Sequence, residues 1–307
     1  MKVAVLIPCY NEEQAVAQVV QDFRAALPHA ALYVYDNNSS DRTAEVARAV
    51  GAVVRREPLQ GKGNVVRRMF ADIEADIYVM VDGDATYHAP SAPMMIAKLV
   101  EENLDMVVGT RLHSEEAGAF RQGHQFGNRM LTGFVAWLFG DRFGDMLSGY
   151  RVFSRRFVKS FPALAQGFET ETELAVHALA LNMPVDEVPT PYGARPEGSV
   201  SKLRTYRDGW RILVTVIKLL KEERPLFFFT GIFSGLSVLA IALATPVVVT
   251  YMETGLVPRF PTAILATGIM ILAFLSLASG FVLDSVKHAR REIKRLQYLH
   301  YKAPGAE

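Results

Sequence analysis

The chain has 307 residues, half of them hydrophobic, with 33 Lys plus Arg against 32 Asp plus Glu and a formal net charge of +1. So even a balance gives no support to a nucleic-acid partner, and the length exceeds a usual single domain, which predicts one globular unit with an appendage. The single Cys9 excludes an internal disulfide, as a cytosolic domain would have it.

The first hundred residues alternate short β-rich runs (VAVLI, LYVY, AVV, IYVMV, DMVVG) with amphipathic segments. Helices are predicted over 12–26, from Ser40–Asp41, from about 63, and over 92–102. Strands separated by helices of that length imply a parallel sheet with right-handed crossovers, in which ligands bind beyond the carboxyl ends of the strands. Polar segments stand at those ends: PCYNEE, DNNSSDRT, DGDATYH and GTR. Further on, 111–125 reads as a loop, 126–139 and 169–181 as helices, and 183–188 as a strand. The Pro/Gly-rich PTPYGARPEGSVSK, 189–202, reads as a long loop.

Residues 203–224 mix Arg and Lys with Trp210, Ile212, Leu213, Val216, Ile217 and Leu220. This pattern predicts a basic amphipathic helix, lying either in a membrane interface or under the globular domain. Residues 226–252 and 260–283 then contain no Asp, Glu, Lys or Arg. Each is long enough to cross a hydrocarbon core and apolar on every face, so two transmembrane helices are expected. Lys218, Lys221 and Arg224 precede the first, and Lys287, Arg290, Arg291, Lys294 and Arg295 follow the second, while the link carries only Glu253 and Arg259. Both ends are therefore expected in the cytoplasm. VAVLI is too short for a signal-peptide core. The expected organisation is a cytoplasmic domain over 1–202, the amphipathic helix over 203–224, the span pair over 225–284 and a basic tail over 285–307.

Asp82 and Asp84 end an apolar strand. In isolation D-G-D can be a polar turn; at the carboxyl edge of an α/β sheet, two hard oxygen ligands suit Mg²⁺ or Mn²⁺ together with substrate phosphates. Asp36 closes another strand and could accept hydrogen bonds from a base or ribose, whereas Ser40 or Asp41 fits a helix cap. QGKGN, 60–64, lacks the spacing of a complete phosphate loop and reads as a turn into a helix, with Lys62 placed to touch phosphate. Glu169, Glu171 and Glu173 alternate on a helix entry and fit a solvated face, although Glu171 could support the site. His113, His124 and His177 lack metal-ligand spacing and read as structural.

IPCYNEE, YDNNSSDRT, VDGD, VVGTR, DMLSGYR and RPEGSVSK occur in the order found in family 2 glycosyltransferases. With the following span pair, the chain most resembles the polyprenyl-phosphate glycosyltransferases of the dolichyl-phosphate mannose synthase type, in their bacterial two-span form. The resemblance implies an α/β GT-A fold with a Rossmann-like, mostly parallel sheet. It also implies inverting transfer from a nucleotide sugar, UDP-linked by preference, to polyprenyl (undecaprenyl) phosphate at the cytoplasmic (inner) membrane, with Mg²⁺ or Mn²⁺. On this likeness Pro8, Tyr10, Asn11, Glu12 and Asp36 bind nucleotide, Asp82 and Asp84 hold the metal, and Arg111 and Arg121 take the acceptor phosphate. Arg195, Ser201 and Lys202 lie in a loop near the diphosphate, and a homotetramer is plausible.

Asp145 matches the position usually proposed as catalytic base; its bland alternative is a cap or a pair with Arg151. A phosphate monoester with a second pKa near 6 scarcely needs a base at neutral pH, so Asp145 could instead orient the donor. Asn37 departs from the family pattern where a second Asp is common, as does His88 where an Asp often follows Thr-Tyr. Two rivals remain. A processive polysaccharide synthase should carry Q-x-x-R-W and more spans, and a noncatalytic membrane scaffold would not require intact DGD and GTR.

Overall fold

The computed structural model describes residues 1–113, 133–135, 137, 143–164, 170–193, 214 and 217–305. They fall into two compact units, Met1–Ile212 with Ile293–Glu307, and Leu213–Glu292.

In the first unit β1 (Val3–Cys9) is buried along almost its whole length, as a central parallel strand covered on both faces must be. α1 (Val16–Ala26) buries Val16, Val19, Val20 and Phe23, the i, i+3, i+4, i+7 stripe of a surface helix. It starts at 16 rather than 12 because Asn11 turns the chain at φ 53 and the Glu12 carbonyl closes the preceding turn. β2 (Ala31–Asp36), α2 (Thr43–Ala49), β3 (Val53–Arg56), α3 (Lys62–Asp72), β4 (Ile77–Met80), α4 (Ala92–Glu101) and β5 (Met106–His113) follow as the alternation predicts.

β6 (Arg151–Ser154) has no counterpart among the predicted strands. It is four residues long, wholly buried, and opens on an arginine, so neither alternation nor an apolar run marks it. Arg151 tolerates burial because its guanidinium donates to the Ser148 and Met146 carbonyls. The chain continues through α5 (Arg155–Ser160) and α6 (Thr170–Ala180) to β7 (Val185–Tyr192). β7 runs on through Pro189 and Pro191, which were expected in a loop. It lies at the sheet edge with β5 as its ladder partner and a single bridge from Tyr192 to Tyr87 among the described residues, so a missing N–H can face away from the ladder.

The sheet order is β3-β2-β1-β4-β6-β5-β7, parallel except for β6, which runs antiparallel to both β4 and β5. An antiparallel β6 begins at the edge where its neighbours end, so the segment before it, 143–150, arrives beside the carboxyl ends of β4 and β5.

Residues 293–305 pack within this same unit. Tyr298 donates to Asp105 at 2.9 Å and Arg295 to the Leu181 carbonyl at 2.8 Å, and Pro304 is buried. Asp105, fully buried, also receives Ser154 Oγ at 2.7 Å and Arg156 Nε at 2.5 Å.

The second unit holds α7 (Pro225–Thr254) and most of α8 (Phe260–Leu299). Both are long and apolar enough to cross a membrane, and only 11% and 17% of their most apolar windows are buried. Pro246 sits inside α7, and Ser and Thr hydroxyls back-bond to carbonyls four residues earlier, as Thr250 does to Pro246. Of the predicted amphipathic helix 203–224, Val214 and residues 217–223 are helical; most of 203–216 lies outside the described residues.

Candidate active site

The ends of β1, β2, β4 and β5, the starts of α3 and α6 and the 143–150 segment supply the site. After β4 the chain passes Val81 and places Asp82 and Asp84 at the sheet edge. Asp84 is buried, and its Oδ1 accepts from Thr86 Oγ1 at 2.6 Å and Thr86 N at 3.3 Å, closing a turn through Ala85 at φ 58. Asp82 is more open, its side chain 29% exposed. Gly149 lies directly against it: a Cβ there would stand 2.8 Å from Asp82 Cγ, so only glycine leaves this carboxylate in place.

Lys62 opens α3 behind Gly61, whose φ of 129 few other residues adopt. Its ammonium reaches the Asp82 carboxylate and, at 2.5 Å, Oε1 of Glu171. Burial opposes its charge, but the two carboxylates win and hold it protonated well above the ordinary lysine range. The predicted phosphate-touching Lys62 therefore lies among the acidic residues. Glu171, expected on a solvated face, is 5% exposed. The helix entry is buried nearly all round, Thr170, Glu171, Thr172, Leu174 and Ala175 alike, which erased the periodicity that could have distinguished it.

Arg111, near the end of β5, clamps Asp145: Nε to Oδ2 and Nη2 to Oδ1, each at 2.7 Å, with side chains 16% and 14% exposed. Asp145 therefore pairs with Arg111 and not with Arg151. Burial works to raise the Asp145 carboxyl, and the Arg111 hydrogen bonds and charge overcome it, leaving it below the usual carboxylate range. Glu187 holds the loop by accepting from Gly144 N and Asp145 N at 2.9 and 3.2 Å. The Arg111 guanidinium also lies over the Tyr192 ring at 5.7 Å. Tyr87 packs edge-on to Tyr192 and accepts from Gly149 N at 2.8 Å, joining the Arg111–Asp145 pair to the Asp82 turn.

The segment from Pro8 to Glu12 meets the loop after β2. Asn11 N donates to Ser39 Oγ at 2.9 Å, its Oδ1 accepts from Ser40 N at 2.8 Å, and Glu12 N donates to Thr43 Oγ1 at 2.8 Å. Asp41, expected as a cap, lies one residue before the N-cap Arg42, which makes no side-chain cap bond, and accepts from Thr43 N at 3.0 Å at the head of α2. Asp36 is buried and accepts from Ser39 N at 3.3 Å; Tyr10 is exposed. Asn37 has a task an aspartate could not perform. Its amide donates to the Glu57 and Leu59 carbonyls at 3.0 and 2.7 Å while its oxygen accepts from Gly61 N at 2.7 Å, fixing the turn that launches Lys62. His88 contacts Ser91 Oγ at 3.0 Å. Arg121, Arg195, Ser201 and Lys202 lie outside the described residues.

Among the described residues no three His, Cys, Asp or Glu side chains converge as a ready metal cage. The donors nonetheless fit a hard divalent cation of the kind that takes one or two carboxylates and completes its shell with phosphates and water. Asp82 already engages a cation, the Lys62 ammonium.

A mostly parallel sheet with an antiparallel insertion and acidic residues at its carboxyl edge is the GT-A arrangement. The chain matches the sequence profile of Glycosyl transferase family 2 over residues 4–160 and belongs to that family. It is 33% identical over 299 residues to glycosyltransferase AglJ of Haloferax volcanii, covering 97% of this chain and 98% of that one. It is 29% identical over 222 residues to a dolichyl-phosphate hexose transferase of the same organism, covering 72% and 95%. Among solved structures it resembles glucosyl-3-phosphoglycerate synthase from Mycobacterium tuberculosis in complex with Mn²⁺, uridine diphosphate and glucosyl-3-phosphoglycerate. There the TM-score is 0.59 and the identity 24%, over 72% of this chain and 79% of that one. That likeness speaks for the fold.

Proposed function

We propose that this glycosyltransferase moves a sugar, with inversion, from a nucleotide sugar, UDP-linked by preference, to a polyprenyl phosphate at the cytoplasmic membrane face. The observation that carries the reading is the adjacency of two opposite features at one sheet edge: a carboxylate turn, Asp82 and Asp84, and a clamped guanidinium, Arg111. An anionic acceptor attacking beside an anionic diphosphate needs both. The relative named for dolichyl-phosphate hexose transfer supports the acceptor class, and the two apolar helices support a membrane address.

Asp82 and Asp84 would hold Mg²⁺ or Mn²⁺, which when bound would neutralise charge on the leaving diphosphate. The Pro8–Glu12 segment, with Tyr10, Asn11 and Asp36, forms the nucleotide cradle. Arg111 receives the acceptor phosphate through the guanidinium edge that Asp145 leaves open. Asp145 acts as the anion that aims Arg111: a carboxyl held this low is a weak proton acceptor, and a phosphate largely dianionic at neutral pH needs none.

The test is transfer from labelled UDP- and GDP-sugars to undecaprenyl phosphate and, separately, to 3-phosphoglycerate, in detergent with Mn²⁺ or Mg²⁺. A lipid-linked product from one donor, lost with EDTA and in Asp84→Asn, is the expected result. Product on phosphoglycerate alone overturns the lipid assignment, and no product on either overturns the transferase reading as stated.

A further inference from the structure

The Lys62 ammonium is shared between two carboxylates of unequal standing. Asp82 is partly open and belongs to the carboxylate turn, whereas Glu171 is buried on α6 and uses only Oε1 toward Lys62 at 2.5 Å. The other oxygen, Glu171 Oε2, is buried and has no hydrogen-bond partner among the described residues. An unpartnered buried carboxylate oxygen is costly and calls for a partner: a water, an ion or a donor able to move onto it. The donor to fill it is already adjacent, since an ammonium has three N–H groups and one flexible stem.

We propose that Lys62 is a placeholder cation and Glu171 its second seat. Without a divalent cation the ammonium is shared between Asp82 and Glu171 and keeps Asp82 from standing unpaired. When the divalent cation takes Asp82, like-charge repulsion drives the ammonium wholly onto Glu171, where Oε2 accepts it. Glu171 is thus a positioning residue that acts through Lys62, and it lowers the cost of metal entry by giving the displaced charge a buried partner. The proposal rests on the reading of Asp82 as a metal ligand.

Mn²⁺ binding to the purified full chain in detergent, without nucleotide, followed by the loss of the free-ion electron paramagnetic resonance signal, tests it. The proteins are the wild type, Asp82→Asn, Lys62→Met, Glu171→Gln and the Lys62→Met/Glu171→Gln pair, with thermal unfolding of each as a folding control. Glu171→Gln is expected to weaken Mn²⁺ binding about tenfold when Lys62 is present and by less than about twofold when it is Met, while Lys62→Met alone tightens binding. Glu171→Asp, which keeps the charge but shortens the reach, should fall between and serves if the glutamine variant does not fold. Equal weakening in both Lys62 backgrounds means Glu171 acts only through its field, and overturns this proposal alone. A wild type that binds no Mn²⁺, or binds it as well after Asp82→Asn, overturns the metal assignment as well.

Discussion

Asp145→Asn separates an aiming anion from a proton acceptor. The Arg111–Asp145 clamp consists of two charge-assisted bonds of 2.7 Å between side chains 16% and 14% exposed. Such bonds contribute about 1.5–3 kcal/mol each; asparagine keeps one acceptor oxygen and turns a donor toward the guanidinium, so about 2–3 kcal/mol of Arg111 placement is lost. Expressed in acceptor capture, that is about 30–150-fold in KM for the lipid phosphate, with kcat falling less than about tenfold. The pH profile gives the second reading. A carboxyl whose folded value is depressed has its pair intact above the ordinary carboxylate range and loses it only as pH falls through the lowered value, so Asp145 does not titrate between about pH 5 and 8. The rising limb of kcat/KM should then come from the acceptor phosphate near pH 6 and survive in the mutant. Initial rates at varied lipid phosphate and pH decide. A kcat lower by a hundredfold or more with both KM values unchanged, and a vanished acid limb, would refute the aiming role and restore Asp145 as the base.

Gly83→Ala should destabilise the first unit by about 1–3 kcal/mol, because its Cβ would meet Cys9 Sγ at 2.5 Å. Cys9→Ala should recover most of that in a thermal melt, since the next atoms stand at 3.5 and 3.6 Å. Asn37→Asp exchanges two donated bonds for a carboxylate facing carbonyls; a loss of about 2–4 kcal/mol is expected, with weakened nucleotide binding by calorimetry as the Lys62 turn loosens. Burial pushes His177 down to about 3. Its folded value is below the unfolded one, so the unfolded chain binds the extra proton and stability falls by about 1.4 kcal/mol per unit as pH drops below about 6.5 toward 3. His177→Gln should flatten that part of a denaturation series; an unchanged slope would show that His177 does not set it.

The strand-end carboxylates were legible in the sequence because period and position coincide: an apolar run stops, and the next polar side chains must emerge at one edge. The first five strands follow from that rule. β6 did not, because its buried arginine answers to carbonyls brought by the 143–150 turn rather than to a hydrophobic pattern. Arg111 and Asp145 were each visible as candidates, but their pairing spans 34 residues and depends on an antiparallel strand the pattern hides. Glu171 was named only as a possible support for the site beside the solvated reading of its set, for the opposite reason: on a helix buried nearly all round no face is marked. Asn37 was visible as a departure, and its amide hydrogen bonds explain it.

The order of synthesis gives the Asp105 cluster a further meaning. Residues 1–212 leave the ribosome first, yet Tyr298 and Arg295, which bond into that unit, are made only after the whole of 213–292. Until then the carboxylate of Asp105 lacks one of its donors and the surface that Pro304 covers is bare. The globular unit is therefore finished only once both apolar helices have been made. Nascent chains stalled before residue 293 should accordingly remain more open to protease than chains released complete, giving quality control a point at which a half-made molecule differs from a whole one.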